Sequence, residues 1–277
     1  MELGVGVGWR RELALAIERY PRLGFVEVLA EGLDASRPLP EPLLALRERG
    51  VQVVLHSVGL SLGGAERPDA RRLSGLARLA ERLGAVLVSD HLCFVRAGGL
   101  ESGHLLPLPR THAALEVLAE NVRLAQAALP VPLALENVAT LFAWPAPEWD
   151  EAGFVTRALA ATGAPLLLDV ANLYADAENH GFDARAFLAA LPPRGVAYAH
   201  LAGGVRHGGL YHDTHAHPVP EGALALAREA ARLLHLPGVL LERDDAFPSE
   251  EALHAELDAL AELHAHGRAE EARRAGG

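Results

Sequence analysis

The stretch PLLLDVANLYADAENHGFDARAFLAALPPRGVAYAH, residues 165–200, holds the unit from which the fold is read. It opens on a short apolar run, PLLLD (165–169), closes on another, VAYAH (196–200), and carries the amphipathic segment DARAFLAAL between them. Continuous apolar runs of this length suit strands buried on both faces. A helical segment between two of them signals parallel strands joined by a crossover helix. Both runs also end on a residue able to bind a metal, Asp169 and His200.

The same unit recurs along the chain. Strands are predicted at GVGVG (4–8), FVEVL (25–29), VQVVL (51–55), AVLVS (85–89), PLALE (132–136) and GVLLE (238–242), besides the two above. Helical stretches lie between them: RRELALAIERY, EPLLALRERG, DARRLSGLARLAERLG, THAALEVLAENVRLAQAAL, AGFVTRALAAT, EGALALAREAARLLH and SEEALHAELDALAELHAH. Ser249 is placed to cap the last of these, and Gly50 and Gly84 to close the second and third. Eight strands each followed by a helix predict a single (β/α)8 TIM barrel, an α/β fold, over residues 1–265. Residues 266–277, polar and rich in small side chains, are expected to form a flexible C-terminal tail. The segments 57–67, 92–110, 137–150, 170–182 and 201–219 read as loops after strands, which in this fold form the active-site face.

The composition agrees. A length of 277 residues suits one barrel, and a chain that is 50% hydrophobic but only 5% aromatic must fill its core mainly with Leu, Ala and Val. A net charge of −11 with scattered arginines offers no phosphate-tracking stripe, so no nucleic-acid partner is expected. The N-terminal sequence has no basic stretch leading into a long apolar run, and no segment has the roughly 18 apolar residues that span a bilayer. The expectation is a cytoplasmic protein without membrane contact. The single cysteine, Cys93, forms no intrachain disulfide and supports no thiolate zinc site, which leaves His, Asp, Glu and Asn as metal ligands.

The strand ends supply them. VQVVL runs into His56, AVLVS into Asp90 and His91, and PLALE, PLLLD, VAYAH and GVLLE end on Glu136, Asp169, His200 and Glu242. Successive candidates are separated by one strand–helix unit plus a loop, roughly 30 to 45 residues, so all of them converge on one mouth of the barrel. Clustered carboxylates repel unless cations lie among them. A single tetrahedral ion with an open position cannot use six ligands, whereas a bridging carboxylate can serve two ions. His56, His91 and Glu136 are assigned to one ion, and Glu136, Asp169, His200 and Glu242 to a second. Asp213 and His215, two apart in an extended segment, together with Asn172, are assigned to a third. Ligands without sulfur fit zinc, manganese or non-haem iron.

Any one strand-end carboxylate could instead hold a loop through backbone hydrogen bonds; the pattern over six successive units is what points to metal. Glu27 and Glu31 read either as outer hydrogen-bond acceptors or as solvated loop carboxylates. His207 and His212 read as loop residues or substrate contacts, His217 as an outer hydrogen-bond partner of the ligands, His180 as a capping or turn residue or one facing the site, and Cys93 as a buried thiol. GVGVGW and LSLGG lack the spacing and context of a phosphate loop.

Taken together, the segments GVGVGWR, FVEV, HSVGLSLGG, SDHL, LLPLPRT, LLLDVANLY, NHGFDA, HLAGG, DTHAHPV and LLERDD resemble the multinuclear non-haem iron-dependent oxidative enzymes of the methanobactin-biosynthesis type. The resemblance implies a TIM barrel with two or three irons, mixed Fe(II)/Fe(III), and dioxygen as co-substrate. It implies oxidation of cysteine residues in a ribosomally made precursor peptide, and a small partner protein that presents the peptide. Carried onto this chain, the ligands are His56, His91, Glu136, Asp169, His200 and Glu242, with Asn172, Asp213 and His215 at the third site; Glu136, Asp169 and Asp213 are the carboxylates given catalytic roles. The chain departs from the family's usual pattern in VATLF after Asn137, and at Arg110, Ala171 and Gly204, positions on the substrate side more than on the metal side. The alternatives are a tri-zinc phosphodiesterase of the apurinic endonuclease type, a sugar isomerase on the same fold, and a non-catalytic metal-binding scaffold.

Overall fold

The computed structural model describes residues 2–275. Its strands are β1 (Gly4–Gly8), β2 (Leu23–Leu29), β3 (Gln52–His56), β4 (Leu87–His91), β5 (Cys93–Ala97), β6 (Leu100–Pro107), β7 (Leu133–Glu136), β8 (Leu166–Asp169), β9 (Val196–Leu201), β10 (Gly203–His207), β11 (Leu210–His217) and β12 (Gly238–Leu241). The helices are α1 (Ala14–Arg19), α2 (Glu41–Glu48), α3 (Ala70–Leu83), α4 (His112–Ala128), α5 (Glu151–Thr162), α6 (Val170–His180), α7 (Ala184–Ala190), α8 (Glu221–Leu233) and α9 (Glu250–Ala275). Strands β1-β12-β9-β8-β7-β4-β3-β2 form a closed parallel barrel with β2 back beside β1. This is the predicted TIM barrel, and each predicted barrel strand is present within two residues of its expected bounds.

Alternation along the strands explains how the barrel presents the candidate ligands. Side chains two apart point to the same side of a strand. Val54, Ala134, Leu167, Tyr198 and Leu240 fill the barrel interior with Phe25 and Leu87. Each of the first five stands two residues before His56, Glu136, Asp169, His200 or Glu242, so those five side chains form the next layer up, at the C-terminal mouth. The register confirms the convergence: His91 pairs with Glu136 across β4 and β7, and Asp169 with His200 across β8 and β9. In β1, a Cβ on Gly6 would lie 2.4 Å from the Phe25 ring. GVGVG is therefore a barrel strand that makes room for an aromatic side chain, not a phosphate loop.

Outside the barrel, helices pack through Leu and Ala stripes. In α3 the buried residues Leu73, Leu76, Leu79, Ala80 and Leu83 recur at helical spacing. Asp69 caps its first turn by accepting from the Arg71 and Arg72 amides, and Gly84, at φ 59°, ends it.

Three of the expected loops contain regular structure. Segments 92–110 and 201–219 hold the antiparallel hairpins β5–β6 and β10–β11. Their tips are Gly98-Gly99 and Gly208-Gly209, all at positive φ as the tight hairpin turn requires. Segment 170–182 is mostly α6, because Asp169 Oδ1 accepts the Asn172 amide at 2.7 Å and caps the helix. The expected tail from 266 is helical to Ala275. Arg268 and His235 both bond Glu271, joining α9 to the segment after α8, and residues 276–277 lie outside the described residues. Among the described residues, no helix is long and apolar enough to cross a membrane.

Candidate metal centre

The structure brings the strand-end residues together at the barrel mouth in three overlapping groups: His56–His91–Glu136, Glu136–Asp169–His200 and Asp169–His215–Glu242. Within each group one nitrogen or oxygen per residue lies within 4.8 Å of the others. Glu136 belongs to the first two groups and Asp169 to the last two. All six strand-end side chains are buried, from 0% exposed for Asp169 and His200 to 6% for Glu242.

In the first group Glu136 Oε2 lies 3.1 Å from His91 Nε2 and 3.5 Å from His56 Nε2. In the second, His200 Nδ1 lies 3.4 Å from Glu136 Oε1, 3.8 Å from Asp169 Oδ2 and 3.2 Å from Glu242 Oε2. In the third, His215 Nδ1 lies 3.4 Å from Glu242 Oε2, and its Nε2 is 2.6 Å from Asp213 Oδ2. His215 holds this place from a left-handed backbone, φ 53°.

These residues fit metal ions on two independent grounds. His91 Nδ1, Glu136 Oε2, Asp169 Oδ2, His200 Nδ1 and Asp213 Oδ1 are buried without a hydrogen-bond partner, a costly state that native interiors seldom tolerate. Ligand atoms about 2 Å from one ion stand roughly 3 to 3.5 Å from each other, close to the 3.1 to 3.8 Å between the facing histidine and carboxylate atoms here. Two bare carboxylates 4–5 Å apart repel by about 3–4 kcal/mol at an effective dielectric of about 20, and cations remove that repulsion.

The buried charged groups of this cluster act strongly on one another. Burial, with Asp169 and Glu242 adding to it, holds Glu136 well above the usual carboxylate range, against the pull of His200. Burial alone would lower His200, but Glu27, Glu242 and Glu136 raise it well above the ordinary histidine value. Burial opposes the ionisation of Glu242, yet His215 and His200 hold its carboxyl well below the usual range. Burial pushes Asp213 up to about 6 despite its bond to His215.

The remaining expected ligands stand at the edge of these groups. Asn172, in the first turn of α6, has its Nδ2 on the Asn137 carbonyl at 3.0 Å, so its amide oxygen is the end left for a ligand. Asp213 touches the third group only through His215. Glu242 faces both His200 and His215, so it stands between the second and third groups. Asp90, the neighbour of His91, does not join the centre. It accepts the Leu60 amide at 3.0 Å and the His91 amide at 2.7 Å, and so holds the loop after β3.

A family model described as RiPP precursor modification enzyme MbnB/TglH/ChrH matches residues 4–265. The chain belongs to this family. Among its relatives is a UPF0276 protein of Streptomyces avermitilis, 52% identical over 93% of this chain and 54% of that protein, so the chain spans about half the length of that relative. A UPF0276 protein of Caulobacter vibrioides is 39% identical over 96% of this chain and 95% of its own. Among solved structures, an L-ribulose 3-epimerase shares the fold with a TM-score of 0.56 at 17% identity, over 99% of this chain and 96% of that one.

In this family member Glu27 takes the outer hydrogen-bond-acceptor role expected of it, while Tyr198, Ser89 and Arg10 around the centre escaped the sequence reading. Glu27 is buried and bonds His200 Nε2 at 2.7 Å, and Tyr198 donates to the same Glu27 oxygen at 2.5 Å. Arg10, at the end of GVGVGWR, donates from Nε to Asp244 at 2.8 Å and lies 3.5 Å from Glu242. Period-two placement gave the available signal: Tyr198 and Ser89 each precede a candidate ligand by two residues, on the same side of the strand. Glu31 accepts from the Ser57 hydroxyl and the Val58 amide, a loop role. His207 and His217 are exposed, His212 bonds the His207 carbonyl, and His180 bonds Thr140. Cys93 packs against Val95 and Val138, and burial raises its thiol well above the ordinary value, which fits the buried thiol expected.

Beside the centre, but lined by none of the candidate ligands, a cavity of about 570 Å³ opens between segment 137–150 and α5, α6 and α7. Asn137 and Leu92, the neighbours of Glu136 and His91, form its wall nearest the centre. Leu141, Phe142 and Trp144 stand exposed on the segment that covers it.

Proposed function

We propose that this chain is a multinuclear non-haem iron oxidase that uses dioxygen to modify cysteine residues of a ribosomally made precursor peptide. The observation that carries the reading is the set of three buried ligand groups sharing Glu136 and Asp169, in a chain whose family modifies RiPP precursors. His56, His91, Glu136, Asp169, His200 and Glu242 would hold two ions, and His215 with Asp213 and Asn172 would draw a third to the Asp169–Glu242 edge. Bound iron would supply electrons for dioxygen reduction and favour the thiolate form of a substrate cysteine.

The protein's own part is positioning and exclusion of water. Glu136 and Asp169 hold neighbouring subsites at fixed spacing from rigid strand ends. Asp213 has a buried oxygen, Oδ1, without a hydrogen-bond partner, and this is the atom it would offer at the third site. The exposed Leu141, Phe142 and Trp144 beside the 570 Å³ cavity support a peptide lying across segment 137–150, presented by a small partner protein in the cytoplasm.

The test is anaerobic purification with metal analysis and Mössbauer spectroscopy, followed by oxygen uptake with a cysteine-containing precursor peptide. Coupled iron and peptide-dependent oxygen consumption, with a mass change confined to cysteine, are expected. Protein that carries only zinc and cleaves abasic-site DNA would replace this reading with a phosphodiesterase.

A further inference from the structure

A buried line of hydrogen bonds runs beneath the centre and joins its first two ligand groups. His56 Nδ1 lies 2.8 Å from Ser89 Oγ, and Ser89 Oγ lies 3.0 Å from Tyr198 Oη. Tyr198 reaches Glu27 Oε2 at 2.5 Å, and the same oxygen lies 2.7 Å from His200 Nε2. All five residues are buried, none more than 4% exposed.

The direction of every bond in the line follows from its one carboxylate. Ionised Glu27 only accepts, so Tyr198 spends its single proton on it and offers Ser89 lone pairs. Ser89 therefore donates to Tyr198 and in turn has only lone pairs for His56. The proton of neutral His56 must then sit on Nδ1, which leaves a lone pair on Nε2, the nitrogen 3.5 Å from Glu136. At the other end Glu27 accepts a hydrogen bond from His200 Nε2–H, leaving Nδ1 to face Glu136, Asp169 and Glu242.

We propose that Tyr198 is a positioning residue that, from inside the barrel, sets the proton-bearing nitrogen of His56 through Ser89 while anchoring the Glu27 that sets His200. The two histidines thus bind metal through different nitrogens, Nε2 in His56 and Nδ1 in His200. Without the Tyr198 hydroxyl, Ser89 loses its acceptor and turns its proton toward His56 Nδ1. The imidazole proton then moves to Nε2, where it blocks the ligand position. The Phe side chain keeps the ring that packs edge-on against Phe25, centroids 5.6 Å apart, so Tyr198→Phe removes the link and preserves the packing.

The inference rests on metal occupancy of this centre but not on iron or oxygen chemistry, and zinc(II) as a diamagnetic probe keeps the two apart. Nitrogen-15 histidine NMR of the zinc-loaded wild type should show His56 bound through Nε2 and His200 through Nδ1. Chelator competition should show zinc(II) about 10- to 100-fold weaker at the His56 subsite in Tyr198→Phe, with little further loss when Tyr198→Phe is added to Ser89→Ala. Wild-type His200 bound through Nε2, unchanged affinity in Tyr198→Phe, or fully additive losses in the double variant would overturn the proposal. Because the wild-type spectrum is itself decisive, a variant that folds poorly does not remove the test. Zinc binding with these nitrogen assignments, in a protein that oxidises no peptide, would sink the proposed function alone.

Discussion

Glu136 meets His91 at 3.1 Å through Oε2, while its other oxygen lies 3.4 Å from His200 on a different strand. One carboxylate thus takes part in two ligand groups, and its loss should empty both. Glu136→Gln keeps the shape but removes the charge. The expected result, read by metal analysis after anaerobic reconstitution, is loss of more than one ion per chain. The fall in affinity should exceed the roughly 100-fold typical of changes outside the ligand shell. Loss of a single ion would place Glu136 in one subsite only.

The third group depends on the β10–β11 hairpin, and that hairpin on a close backbone approach. A Cβ on Gly203 would lie 2.1 Å from the His217 carbonyl oxygen and 2.2 Å from that of Pro218, so Gly203→Ala forces the strands apart. His215 lies on the strand so displaced. The variant should keep the barrel and two ions and lose the third. An unchanged metal count would show that the third ion does not depend on His215 being held there.

A pH effect is expected away from the centre. Burial, with Glu151 adding, raises the Asp176 carboxyl to about 7, although the Thr140 amide and His180 oppose it. The folded state therefore keeps a proton that the unfolded chain releases near its ordinary value of 3.8. The associated stability is fully present below pH 4 and is lost as pH rises through about 7. Asp176→Asn has no such proton to lose. Between pH 5 and 8 the Tm of the metal-free wild type should fall by a few degrees relative to this variant, since about 1 kcal/mol shifts Tm by about 2–4 °C in larger domains. Parallel Tm curves would contradict the assignment.

The barrel was legible because each strand is a short, mostly apolar run, and the cluster at its mouth because the candidate ligands recur at strand ends, where period-two alternation fixes which side they face. The hairpins were missed although RAGGLE and RHGGLY carry Gly-Gly turn signals, because the strands beside them mix polar and apolar residues and are largely exposed near the turns. Helix α6 was hidden because Asp169 and Asn172 were read as ligands. The same Asp–x–x–Asn spacing is an N-cap, in which the side chain of the first residue accepts the amide of the fourth. The line from His56 to His200 was invisible for another reason: Glu27 and Tyr198 are 171 residues apart, and only closure of the barrel brings them into contact.

That double use of Asp169 gives a prediction in which stability and metal binding separate. Its Oδ1 caps α6 through the Asn172 amide, while Oδ2 is buried without a partner, facing His200. Asp169→Asn can keep an oxygen on the Asn172 amide but puts an NH2 group where the second oxygen was, so the cap survives and the ligand does not. Asp169→Ala loses both. Metal-free Asp169→Asn should therefore melt close to the wild type, whereas Asp169→Ala should be less stable by about 0.5–2 kcal/mol, the usual value of a lost N-cap. Both should bind fewer ions, because Asp169 belongs to the second and third groups. Thermal melts of the metal-free proteins paired with metal analysis after reconstitution read the two effects independently. If Asp169→Asn retained its full metal complement, Oδ2 would not be a ligand atom, and the sharing of Asp169 between neighbouring subsites would have to be abandoned.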